Sequence, residues 1–127
     1  GMASVKEIDE LNILEATKLS MKRAVIKLNR PPLPLIIDGK IDLKLRNYPS
    51  LGIIKGDQKI KCISAASIVA KVYRDLYMIK LGNKFPQYKW HKNFGYGTDQ
   101  HLGALKKFGI TNFHRKSYKP VHNILFR

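Results

Sequence analysis

Two short apolar runs, Leu35-Ile36-Ile37 and Gly52-Ile53-Ile54, each lead to an aspartate beside a glycine, Asp38-Gly39 in one case and Gly56-Asp57 in the other. The first reads as a strand of about four residues that stops at its acid. Its unbroken apolar character is that of a strand buried on both faces. Ile53 and Ile54 make a second short strand ending at Lys55-Gly56-Asp57. Between them, residues 40–50 read as a basic loop with Lys40, Lys44 and Arg46, broken by Pro49.

Elsewhere the apolar period is helical. Ser4-Val5-Lys6-Glu7 fits a capping box, in which the Ser hydroxyl takes the N3 amide and the Glu reaches back. Leu11, Leu14, Met21, Val25 and Leu28 then recur at steps of three and four, or their sum, as one stripe. Asn12 either bends this segment or marks a second start. Glu7, Asp9, Glu10 and Glu15 come early and Lys18, Lys22, Arg23, Lys27 and Arg30 late, an order that complements the helix dipole. Pro31, Pro32 and Pro34 stop the helix. From residue 60 to about 81 a second helical pattern places Ala65, Ile68, Val72, Leu76 and Ile79 on one face and Ser67, Lys71 and Arg74 on another. Gly82 and Pro86 end it. Residues 83–97 read as a loop rich in aromatic and basic residues. Thr98 caps a further helix with apolar positions Leu102, Leu105 and Phe108, which Gly109 ends. The tail from about residue 110 reads as irregular or weakly helical. The expected class is α/β in one domain, although two strands make a thin sheet.

Charge changes this picture most. With 24 Lys and Arg against 9 Asp and Glu, the formal net charge is +15. Such a surface attracts polyanions, and nucleic acid is the first partner to expect, a merely solubilising basic surface being the alternative. The single cysteine, Cys62, excludes an internal disulfide framework and suits a reducing, cytoplasmic compartment. In its apolar helical setting it reads as a small core residue. No run approaches the ~18 apolar residues of a membrane-spanning helix, so no membrane partner is expected.

Asp38 and Asp57 are the leading chemical candidates. Carboxylates side by side at one sheet edge suit a hard divalent cation, and ligands commonly bind beyond the carboxyl ends of strands in open α/β sheets. Both are also ordinary turn residues. Lys55, Lys71 and Arg74 are candidate phosphate ligands, with Ser67 adding a hydroxyl on the same helix face; a solvated basic face is the alternative. The turn at residues 95–98 leads into a helix N-terminus whose amides could meet an anion. Tyr96, with glycine on both sides, is placed to stack on a sugar or base. Trp90 reads as part of a small core beneath the loop. His91, His101, His114 and His122 lack zinc-site spacing and read as structural or phosphate-facing.

Together, residues 4–17 (SVKEIDELNILEAT), 37–39 (IDG), 55–57 (KGD), 64–75 (SAASIVAKVYRD), 85–88 (FPQY), 95–101 (GYGTDQH), His114-Arg115 and Lys119-Pro120-Val121 resemble ribonuclease HII, the type 2 ribonuclease H, in order and spacing. The resemblance covers nearly the whole chain. It implies a ribonuclease H-like α/β fold, a mixed sheet flanked by helices. It also implies an endonuclease that cuts the RNA strand of RNA/DNA hybrids, and cuts 5′ of single ribonucleotides embedded in a DNA duplex. Mg²⁺ or Mn²⁺ would be held by four acids. Asp38 matches the third of these acids and Asp57 the fourth, Tyr96 the tyrosine that packs on the sugar at the RNA–DNA junction, and Lys71 a lysine beside the site.

The sequence departs from the family's pattern at its start. The first two acids form an Asp-Glu pair on the family's first strand, and nothing here corresponds to it; Asp9-Glu10 match a later helix instead. The expected fold is therefore incomplete, its first strands absent, and little cleavage is expected from these residues alone. Self-association through an exposed sheet edge is a further expectation. A basic nucleic-acid-binding domain without catalysis remains the alternative.

Overall fold

The computed structural model describes residues 1–30 and 33–126; Pro31 and Pro32, read above as helix stops, lie outside them. Helices α1 (Val5–Leu11) and α2 (Ile13–Lys27) precede strands β1 (Leu35–Asp38) and β2 (Ser50–Ile53). Then come α3 (Gly56–Lys59), α4 (Lys61–Lys84), a 3₁₀ turn (Pro86–Tyr88), α5 (Trp90–Asn93), α6 (Asp99–Phe108) and α7 (Lys119–Leu125). The class is α/β, as expected. The chain packs into two compact units, residues 1–69 and 70–127.

In the first unit the capping box forms as read. The Ser4 hydroxyl takes the Glu7 amide, and the Glu7 carboxylate takes the Ser4 amide at 2.8 Å. Arg23 Nη2 meets Glu7 Oε1 at 2.6 Å and ties α2 to α1. Hydrogen bonds from Arg23, and then from Ser4, hold the Glu7 carboxyl down to about 2. Asn12 is both the end of α1 and the start of α2: at φ +72 it breaks the helix, and its Oδ1 accepts from Leu14 and Glu15. β1 and β2 run parallel, with Leu35 opposite Ser50 and Asp38 opposite Ile53. The connecting loop is organised by Asp42, whose Oδ1 accepts from the Lys44 amide and the Ser50 hydroxyl, and by Leu43, which is 1% exposed.

Several expectations need correction. β2 begins three residues earlier than the Ile53-Ile54 pair suggested and ends at Ile53. β1 is not buried on both faces: Ile37 is buried and Ile36 exposed. Apolar periodicity identified the stripes of α2 and α4 but not their burial. In α2 only Ala16 is buried, and Ile68, Val72, Leu76 and Ile79 of α4 are exposed, as is Cys62. A two-stranded sheet has too little surface to cover these faces. Among the described residues no helix is long and apolar enough to cross a membrane.

In the second unit α4 continues through Gly82 to Lys84. A Cβ at Gly82 would lie 2.5 Å from the His91 amide, so this glycine serves close packing inside the helix and does not terminate it. Residues 83–97 are partly helical where a loop was expected. Leu81, Tyr88, Trp90, Ala104, Leu105 and Val121 form the core, and Trp90 lies within it as read. The Tyr88 and Trp90 rings stack 5.1 Å apart. Buried against them are His101 and His114, so of the two alternatives, structural or phosphate-facing, burial favours the structural one for this pair. Burial, and then the neighbouring His101, push the His114 imidazole down to about 4. Thr98 caps α6 and Gly109 ends it, while the tail holds α7, a two-turn helix.

Two measurements check this packing. Gly82→Ala should lower stability by about 1–3 kcal/mol in urea unfolding through overpacking. Gly103→Ala, on α6 with nothing within 4 Å of the added Cβ, should raise it by about 0.5–1 kcal/mol. Because His114 is harder to protonate folded than unfolded, its contribution is complete above its ordinary value of 6.5 and is lost as pH falls toward 4. Urea midpoints should therefore decline across that window, and His114→Gln should flatten that part of the decline. The Glu7 contribution is lost in a separate window, from 4.5 toward 2.

Candidate functional site

The strand ladder sets the position of the first acid. Asp38 is the last residue of β1, opposite Ile53. Beyond Ile53 the chain turns through Ile54 and Lys55, and Lys55 takes a left-handed φ of +54, a conformation costing a non-glycine residue about 1 kcal/mol or more. The turn brings the Gly56 amide to Asp38 Oδ1 at 2.7 Å. Gly56 is buried, and a Cβ there would lie 2.7 Å from Ile63 Cδ1 and 3.5 Å from Asp38 Oδ1. A Cβ at Gly56 would press on the end of the Ile63 side chain and lie at ordinary contact distance from Asp38, so the glycine of the KGD segment eases the packing of the turn against Ile63. Asp57 follows directly. It sits in the first turn of α3 and not at a strand end, because β2 finishes earlier than its apolar pattern suggested.

Both carboxylates are exposed. As hard oxygen donors they match Mg²⁺ or Mn²⁺, which take oxygen ligands and Mg²⁺ in particular retains water. Among the described residues no group of three or more His, Cys, Asp or Glu could hold a metal ion. The two acids fit as members of a ligand set rather than as a whole one. Lys55 contributes its backbone to the turn and has an exposed side chain. The Ser67 hydroxyl donates to the Ser64 carbonyl at 2.8 Å, within its own helix.

In the second unit, Lys71 pairs with Asp75 one turn along α4, and its ammonium lies 6.0 Å from the Phe94 ring centroid. Arg74 Nη2 donates to the Phe94 carbonyl at 2.9 Å, and its guanidinium lies 5.5 Å from the Tyr96 ring centroid. Arg74 is therefore committed to the aromatic turn. Tyr96 is 68% exposed. Its amide donates to the Asn93 carbonyl at 2.8 Å, and the Asn93 side chain receives the Gly95 amide and donates to the Tyr88 carbonyl. The amides expected to meet an anion are partly engaged within the chain. That of Thr98 donates to the Tyr96 carbonyl and that of His101 to the Thr98 hydroxyl.

Sequence reasoning missed Asp75, Asn93 and the contacts of His101. Asp75 was within reach, since an acid four residues after a lysine on a helix is a standard pairing. The histidine contacts depend on tertiary packing, and no spacing announces them.

A family model described as "Ribonuclease HII" matches residues 2–121. The chain is 52% identical over 125 residues to a ribonuclease HII of Pelagibacter ubique, covering 98% of this chain and 67% of that protein. It is 48% identical over 126 residues to one of Staphylococcus saprophyticus, of which it covers 48%. To one of Wolbachia pipientis wMel it is 49% identical over 125 residues, with 63% of that protein covered. The chain spans about half to two thirds of the length of these relatives.

The Gly56–Asp38 contact can be tested by stability alone. Asp38→Ala leaves a buried amide unpaired and should cost about 1–3 kcal/mol in urea unfolding. Asp38→Asn keeps an oxygen acceptor and should cost much less. Asp57→Ala, at an exposed position, should stay within about 0.5 kcal/mol of the parent.

Proposed function

Because the chain belongs to the ribonuclease HII family, we propose that its residues form part of a metal-dependent endoribonuclease. The enzyme hydrolyses the RNA strand of RNA/DNA hybrids and cuts 5′ of ribonucleotides embedded in DNA, leaving 3′-hydroxyl and 5′-phosphate ends. In this reading the chain is the C-terminal part of one ribonuclease H-like domain acting in the cytoplasm. The observation that carries it is the 2.7 Å bond from the Gly56 amide to Asp38, which holds the first acid against the turn that bears the second.

Asp38 and Asp57 would hold Mg²⁺ or Mn²⁺. When bound, the metal supplies a nucleophilic water at neutral pH and stabilises charge on the phosphate. Tyr96 would lie against the sugar at the RNA–DNA junction; its exposure and the rigid turn beneath it suit that role. Lys71, Lys55 and Ser67 would meet the phosphate backbone. The exposed Lys71–Asp75 pair is worth less than about 1 kcal/mol, so a phosphate can displace it. Arg74 would act mainly by steadying Tyr96, with its remaining donors toward phosphate.

Asp38 and Asp57 are two of the four acids this mechanism uses, and we expect little cleavage from the 127 residues alone. Exposed Ile36, Leu51 and Ile54 in and beside the two strands support self-association through the sheet edge. The second reading, a basic nucleic-acid-binding domain without catalysis, is favoured by the net charge of +15.

One substitution separates the two. In the intact enzyme, Asp38→Asn should reduce Mg²⁺- or Mn²⁺-dependent cutting of a duplex with one ribonucleotide by about 10³-fold or more, with duplex affinity nearly unchanged. Cleavage that survives the change would remove Asp38 from the ligand set. Robust cutting by the 127 residues alone would overturn the expectation of inactivity.

A further inference from the structure

The two buried histidines meet through their ring nitrogens, and each neighbour fixes where a proton can sit. The Trp90 indole can only donate, and its Nε1–H points at His101 Nε2, 3.2 Å away. His101 therefore carries its proton on Nδ1, which lies 2.9 Å from the Tyr96 carbonyl oxygen. The Thr111 amide likewise can only donate, and it points at His114 Nδ1 at 2.9 Å. His114 is then protonated on Nε2, which faces His101 Nε2 at 3.2 Å. Every contact pairs a donor with an acceptor only when both rings are neutral. A second proton on His101 would face two donors, and one on His114 would face an amide N–H. The chain of bonds runs from the Thr111 turn through both rings and emerges at the backbone of Tyr96.

We propose that His101 and His114 are positioning residues for Tyr96, in which His101 Nδ1–H holds the Tyr96 carbonyl while His114 and Trp90 hold His101 in the tautomer that can do so. This rests on the reading of Tyr96 as the residue that meets the ribonucleotide sugar. The Tyr96 ring is largely exposed, so its aim depends on the backbone that carries it. That backbone is gripped at two points. Its amide is held by Asn93, and its carbonyl receives both the Thr98 amide and His101. Beyond it, the Tyr118 hydroxyl packs close over Gly97, 2.8 Å from where a Cβ would lie. A polar pair within an aromatic core is dearer than an apolar one of equal volume. Its position at the root of the Tyr96 turn gives it a function that an apolar pair could not perform.

The test compares, in the intact enzyme, affinity for a duplex with one ribonucleotide and for the same duplex as DNA, by fluorescence anisotropy. His101→Leu, which cannot donate, should reduce the preference for the ribonucleotide by about fivefold while leaving DNA affinity within about twofold. His101→Asn places an amide N–H near the position of Nδ1 and should restore most of the preference. If His101→Leu fails to fold, His114→Leu, which loosens His101 without removing it, should give a smaller loss that His114→Gln restores. Unchanged preference in a folded His101→Leu variant, or no rescue by His101→Asn, would overturn the proposal. Nitrogen-15 NMR at neutral pH should find His101 protonated on Nδ1 and His114 on Nε2; the opposite tautomers would also overturn it. Tyr96→Ala reports on the underlying reading. If it leaves the preference intact, that reading fails, and the positioning proposal is then decided by whether amide exchange at residues 95–98 accelerates in His101→Leu.

Discussion

Parallel strands ordinarily need a long crossover, commonly a helix, because the chain must return to the same end of the sheet. Here β1 and β2 pair in parallel across residues 39–49 alone. The loop manages this by burying Leu43 and by gathering Lys44 and Ser50 onto one oxygen of Asp42. From that closure follow the register that sets Asp38 opposite Ile53 and the turn that lays Gly56 against Asp38. Without it the turn that bears Asp57 would have no strand end to lie against.

Local signals in the sequence translated well. Ser4 with Glu7, Asn12, Thr98 and Gly109 each mark a helix end through their own hydrogen bonds or backbone preference, and each acts as read. The approach of the IDG and KGD segments was legible only as one alternative, since acids beside glycines are also ordinary turn residues; the structure lays Gly56 against Asp38 but puts Asp57 on α3 and not at a strand end. Burial was not legible. A stripe such as Ile68, Val72, Leu76 and Ile79 states which face of a helix is apolar, whereas exposure depends on what covers it. Cys62 was misplaced on the same ground. The shift of β2 to Ser50–Ile53 has a different cause: Ser50 and Gly52 are poor strand formers singly, but the ladder with β1 recruits them.

The second unit shows how a histidine can be read correctly in kind and still incompletely. Absence of zinc spacing pointed His101 and His114 toward structural or phosphate-facing roles, and their burial favours the first. What spacing could not contain is the order of their protons. Trp90 and Thr111, eleven residues before His101 and three before His114, impose that order through donors that cannot reverse. The direction of the network belongs to the folded chain and to no segment of it.

The short β1–β2 connection also bears on the time course of folding. Each pair in the ladder joins residues fifteen apart in sequence, as Leu35 with Ser50. Parallel sheets fold slowly when closure must wait for a long crossover to be ordered first. A loop of this size closes within about a microsecond, and its entropy cost grows only slowly with length. The strand pair that ends at Asp38 is thus among the least costly non-local structures for this chain to nucleate, and it can form before the apolar faces of α2 and α4 have found any cover.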